Sequence, residues 1–227
     1  AKVGNIPAAA ATLVAAKANT RAVTVDRVKK LEEQTRHDIM AVVLALSEAC
    51  NKDAARYVHL GATSNDISDT ATALQLRDAI RVLTDDLKEL RGVLVSLAKK
   101  HRKTVILGRT HGQAAVPMTF GLKMAVFATE TDRHLERLRQ VETRVVVGKV
   151  SGAVGTGAAL GDKALEIQKV VMEDLGLQAE EASTQIVGRD RYAEFVMVLA
   201  NIAGSLDKFC TEVRNLQRTE IGEVAEA

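Results

Sequence analysis

Residues 76–97, LRDAIRVLTDDLKELRGVLVSL, place apolar side chains at Leu76, Ile80, Leu83, Leu87, Leu90, Leu94 and Leu97, with charged residues filling most of the gaps. Spacings of four and three in alternation make a heptad seam, and a sustained 3.5-residue period implies left-handed packing against partner helices. The seam predicts one helix from about Ile67 to His101, about 50 Å long at 1.5 Å per residue. The same spacing recurs at Phe195, Leu199, Ile202, Leu206, Phe209, Val213 and Leu216. A third helix, about Met118 to Val147, is expected from Phe120, Met124, Phe127, Leu135, Leu138, Val141 and Val145. Three long helices with such seams predict an all-α protein built as a long-helix bundle.

Composition points the same way. The 227 residues are 47% hydrophobic and 26% charged, which suits a folded chain with a real core. Two prolines, four phenylalanines, two tyrosines and no tryptophan disfavour a sandwich or barrel of short strands. A formal charge of +2 is too balanced for a dedicated nucleic-acid or membrane-surface binder, so neither partner is expected. Cys50 and Cys210 lie far apart and show no CxxC spacing, so no disulfide framework or zinc site is signalled and a reducing, cytoplasmic setting fits. No apolar run reaches the roughly 20 residues that span a bilayer. The chain starts at Ala1 rather than Met, inside a helical pattern, and reads as an excerpt of a longer protein.

Residues 1–57 read as shorter helices, with Thr24 a candidate N-cap, and are expected to form a separate small helical part, with residues 58–227 holding the long helices of the bundle. Three polar or glycine-bearing segments interrupt the helices: Gly61–Asp66, Gly108–Pro117 and Gly148–Gly161. Chemistry is expected there, because connections held by rigid helices present positioned polar groups.

In the first, Thr63 and Asp66 match a capping box, and a helix start with free N–H groups and hydroxyls also suits an anion. In the second, His111 of Arg109-Thr110-His111-Gly112-Gln113 is either a structural histidine or a general acid/base, with Pro117 placed to open the next helix. Thr35-Arg36-His37-Asp38 reads either as a solvated helix face or as a cation, imidazole and carboxylate serving one site. His59 is equally open, whereas His101 and His134, among Lys, Arg and Glu, read as surface residues. The third segment holds Gly152, Gly155, Gly157 and Gly161, follows no strand, and predicts close backbone approach rather than a dinucleotide site. No motif for a metal or a nucleophilic triad is present.

Read together, Thr35–Ala41, His59–Asp66, Arg109–Gln113 and the Ser183–Arg191 segment STQIVGRDR resemble, in order, the adenylosuccinate lyases of the fumarase/aspartase superfamily. The resemblance implies a bundle of the fumarase/aspartase type and a cofactor-free β-elimination. Adenylosuccinate would give AMP and fumarate, and SAICAR would give AICAR and fumarate. By position in the family's motifs, His111 is implied as general acid, and Arg36, His37, Asp38, Thr63, Ser64, Thr110 and Gln185 as substrate contacts. His59, Lys149 and Arg189 are possible additions. The resemblance further implies a homotetramer with shared active sites, a base carried on a serine-rich loop beyond Ala227, and a C-terminal helical domain, so that this chain alone is expected to be inactive. Two alternatives are a related superfamily member such as a carboxymuconate cycloisomerase, which Arg36-His37-Asp38 argues against, and a non-catalytic helical assembly protein.

Overall fold

The computed structural model describes residues 1–226. In chain order its elements are α1 (Ala8–Lys17), α2 (Val25–Thr35), α3 (Asp38–Ala49), α4 (Lys52–Ala55), α5 (Ser64–Lys100), β1 (Val105–Thr110), β2 (Gln113–Thr119), α6 (Phe120–Val145), β3 (Val147–Gly148), a 3₁₀ segment (Ala158–Lys163), α7 (Ala164–Leu175), β4 (Gln178–Ala179) and α8 (Asp190–Leu216). The all-α, long-helix architecture stands, with two small two-stranded sheets added to it. The chain divides into two compact units: Ala1–Leu76 with Val146–Gly188, and Arg77–Val145 with Arg189–Ala227.

In the first unit, α2 and α3 pack through Leu31, Ala41 and Ala45, with Val23 and Val28 against them. Thr24 caps α2 by accepting from the Arg27 N–H, as expected. Rather than lying within one helix, Thr35-Arg36-His37-Asp38 spans the end of α2 and the start of α3, with the break at Arg36 and His37, because Arg36 turns left-handed and ends α2. β3 runs parallel to β4, and Met172 of α7 is buried beneath Gly148.

In the second unit, the α5 seam is buried at Ile80, Leu87 and Leu94 and half-buried at Leu83, Leu90 and Leu97. Leu94 shares a core with Met124, Phe127, Ala128 and Phe209, and the Phe127 and Phe209 rings stack with centroids 4.1 Å apart. On α8, Leu206 and Val213 keep 39% and 38% of their surface, so that these two seam positions lie open.

Two expectations are corrected here. Gly108–Pro117 is not an open helix connection: β1 and β2 form an antiparallel hairpin with Thr110 opposite Gln113, and α6 starts only at Phe120. Pro117 sits inside β2 opposite Leu107, which a two-stranded ladder tolerates because each strand has a free edge. His134 is not a surface residue. Thr131, His134, Leu138, Val141 and Val145 form the buried stripe of α6. His134 Nε2 lies 2.8 Å from Ser205 Oγ, whose proton goes to Glu130 at 2.5 Å, so the imidazole donates and carries its proton on Nε2. Burial, helped by Arg137, pushes the His134 pKa below its ordinary value.

Candidate functional site

The first unit carries Arg36, His37, Asp38, His59, Thr63, Ser64, Lys149 and Gln185; the second carries Thr110, His111 and Arg189. Arg36 and His37, in the break between α2 and α3, and Asp38, the first residue of α3, are exposed. The Arg36 N–H closes α2 on the Glu32 carbonyl at 2.8 Å. His37 is the N-cap of α3: its Nδ1 accepts from the Met40 N–H at 3.4 Å, which leaves the proton of the neutral ring on Nε2. The Asp38 carboxylate lies 3.2 Å from the same Nδ1, so a protonated ring has an ion-pair partner in place.

The loop before α5 begins at His59, whose backbone is left-handed at φ 65 and whose Nε2 is buried without a hydrogen-bond partner among the described residues. Thr63 follows, buried, and α5 starts at Ser64. Half of the expected capping box forms: Asp66 Oδ2 accepts from the Thr63 N–H at 3.0 Å. The same carboxylate also takes the Lys149 ammonium on Oδ1, the Ser151 N–H at 3.1 Å and the Gly152 N–H at 3.0 Å. Lys149 has no exposed surface. Burial alone raises the Asp66 pKa, but the ammonium and the three N–H donors outweigh it and hold the carboxyl below its ordinary value.

One turn further along α5, Thr70 Oγ1 donates to the Lys149 carbonyl and accepts from the Lys149 N–H, both at 3.1 Å. Asp69 Oδ2 accepts from the Val187 N–H at 2.8 Å, which ties down the chain two residues beyond the exposed Gln185. Asp66, Asp69 and Thr70 thus form a buried polar patch with i, i+3, i+4 spacing at the start of a helix. Of this patch the sequence signals only the capping role of Asp66, because the partners of all three residues lie far away in the chain. Close approach in the glycine segment is present as expected: a Cβ on Gly155 would lie 1.9 Å from the Ser183 carbonyl oxygen.

In the second unit, His111 and Gly112 are the two central residues of the hairpin turn, with φ 55 and 70. Positive φ at both positions defines a type I′ turn and puts the imidazole at an exposed tip. The hairpin is anchored at its base: Glu223 accepts from the Leu107 N–H at 2.9 Å and from Arg109 Nη1 at 2.8 Å, and Arg109 holds its carboxyl below the usual range. A cleft of about 870 Å³ is lined by Arg109, Gly112, Lys123, Lys208 and Arg218, although not by Thr110 or His111. Arg189, exposed, precedes α8 with its guanidinium 5.1 Å from the Tyr192 ring centroid.

Arg36, His59 and His111 are the non-glycine residues with positive φ among the described residues. Such strain is uncommon and gathers at functional sites, and each of the three belongs to a different motif singled out from the sequence.

The lyase family model matches residues 1–227. The chain belongs to the lyase family. Adenylosuccinate lyase of Pyrococcus abyssi is 56% identical across 100% of this lyase chain, which covers 50% of that protein. Among solved structures, a fumarate lyase from Mesorhizobium sp. BNC1 superposes with a TM-score of 0.93 at 40% identity, covering 99% of this chain and 53% of that one. A 3-carboxy-cis,cis-muconate lactonizing enzyme from Pseudomonas putida superposes at 0.91 with 36% identity, over 100% of this chain and 51% of that one. The lyase fold is therefore the fumarase/aspartase-type bundle, and the chain spans about half the length of the curated relatives it matches. Among its described residues no helix is long and apolar enough to cross a membrane.

Proposed function

We propose that the protein carrying this chain is an adenylosuccinate lyase, eliminating fumarate from adenylosuccinate to leave AMP and from SAICAR to leave AICAR. The observation that carries the reading is the coincidence of the left-handed residues Arg36, His59 and His111 with three separate motifs, on a chain 56% identical throughout to a relative of that name.

In this β-elimination a base removes a proton from the carbon next to the one bearing nitrogen, and the adjacent carboxylate delocalises the resulting carbanion. The C–N bond then breaks, its electron pair leaves with nitrogen, and His111 delivers a proton to that nitrogen. An imidazole suits the task because its ordinary pKa lies near neutrality. Arg36 pairs with a phosphate or carboxylate oxygen, and Thr63 and Ser64 offer their hydroxyls, with the Ser64 N–H, at the start of α5, where the helix dipole favours an anion. His37 and Asp38 contact the nucleotide or orient one another, as their shared Nδ1 contact supports. Thr110 and Gln185 complete the substrate contacts, with His59 and Arg189 as further candidates. The base is assigned to no residue of this sequence, and the chain by itself is proposed to be inactive.

The reaction needs no cofactor. Residues 1–57 and 58–227 are proposed as parts of an N-terminal and a central domain, working in a cytoplasmic homotetramer with shared active sites. The open seam positions Leu206 and Val213 support partner helices.

The test follows absorbance as the full-length protein of this sequence meets adenylosuccinate, with 3-carboxy-cis,cis-muconate as the competing substrate. Fumarate and AMP from the first, with no turnover of the second, is the expected result. The reverse would transfer the reading to the 3-carboxy-cis,cis-muconate lactonizing chemistry named for the Pseudomonas neighbour.

A further inference from the structure

We propose that Lys149 and Asp66 are positioning residues that set substrate affinity through Ser64, rather than groups that meet the substrate. This rests on the adenylosuccinate lyase reading and adds to it a role for the buried pair.

Lys149 has no exposed surface and Asp66 almost none, so neither reaches a bound molecule. Their pairing is nevertheless costly to build, since a buried ion pair is seldom worth more to stability than a well-packed apolar pair of the same size. What it does is geometric. Through four donors, one carboxylate joins the N-cap of α5 to the Lys149–Gly152 segment, which lies more than eighty residues away in the chain. Thr70 adds two hydrogen bonds to the main chain of Lys149, so that both the ammonium and the backbone of this residue are locked to the same helical turn. Asp66 is two residues from Ser64 and holds the N–H of Thr63 immediately before it. The ammonium keeps Asp66 ionised, and an ionised Asp66 accepts at both oxygens. The direction of the Thr63-Ser64 donors is thus decided by a charge that never touches the ligand.

Kinetics of the full-length protein on adenylosuccinate test this with Asp66→Asn/Lys149→Met, which removes both charges together. Thr70→Val, which keeps both charges and frees the Lys149 main chain, is the milder variant. Each is made with and without Ser64→Ala, and thermal midpoints are recorded beside KM and kcat. The expected result is a tenfold or larger rise in KM for the charge-free pair, a three- to tenfold rise for Thr70→Val, and little change in kcat. Adding Ser64→Ala to either should cost less than twofold beyond the larger single effect, because the two changes remove one contribution. A general structural defect would instead multiply with Ser64→Ala, and such additivity, or an unchanged KM in a folded variant, overturns the proposal. If the charge-free pair does not fold, Thr70→Val decides by the same criterion. Wild-type protein inactive on adenylosuccinate would overturn the parent reading, whereas wild-type activity with additive variants overturns this inference alone.

Discussion

The Lys149 ammonium is held by the carboxylate of Asp66, 83 residues earlier in the chain, with neither side chain more than 1% exposed. Removing one partner of such a pair strands the other charge away from water, at a cost of about 3–5 kcal/mol. Lys149→Met should therefore lower the unfolding free energy measured in urea by that amount, whereas the charge-free Asp66→Asn/Lys149→Met variant should recover much of the loss. A single variant as stable as wild type would show that the pair is not buried in solution.

Stability should fall on acidification, for two reasons with the same sign. The Asp66 carboxyl is held below its ordinary 3.8, so the unfolded chain binds a proton first as pH falls. That contribution is complete above the ordinary carboxylate range and is lost as pH drops through the folded value. His134 is held below its ordinary 6.5 by burial, so its neutral form is favoured in the fold, and stability declines as pH falls below that value. Urea midpoints measured between about pH 8 and about pH 5 should decrease, and His134→Gln should flatten that part of the curve.

Ser205→Ala should destabilise by about 1–3 kcal/mol, because it leaves the Nε2–H of buried His134 without its acceptor. Calorimetry on the purified protein checks this. A change below about 0.5 kcal/mol, the size of an ordinary surface substitution, would mean that the ring finds another partner.

The long helices were legible because burial on α5 and α8 follows a repeating seam: the expected limits of about Ile67 to His101 fall within a few residues of Ser64–Lys100. His134 was misread because its charged sequence neighbours concealed that it shares the 3,4 spacing of Thr131, Leu138, Val141 and Val145. The hairpin was missed for another reason. Its strands are short and mostly exposed, with alternating burial only over residues 105–108, and Pro117 argued for a helix start. The surviving signal was His111-Gly112, a two-residue turn with glycine second, between runs that could pair. The candidate residues themselves were legible as motifs, but the Asp66–Asp69–Thr70 patch depends on which distant segments fold back onto α5, and no local pattern carries that.

The turn at His111 separates chemistry from structure. Asparagine tolerates the left-handed conformation that His111 adopts at φ 55, while alanine does not, so His111→Asn should keep the hairpin and His111→Ala should cost about 1 kcal/mol. Both should lose activity by about 10²–10⁴-fold if the imidazole is the general acid. Equal thermal midpoints for wild type and His111→Asn, with activity lost, assign the loss to proton transfer rather than to folding.

The most direct measurement is fumarate release from adenylosuccinate by the full-length protein of this sequence, wild type against His111→Asn. The account predicts equimolar fumarate and AMP from the wild type, and a loss of at least about a hundredfold in kcat/KM for the variant at unchanged stability. No fumarate from the wild type, or equal rates from both, would contradict it.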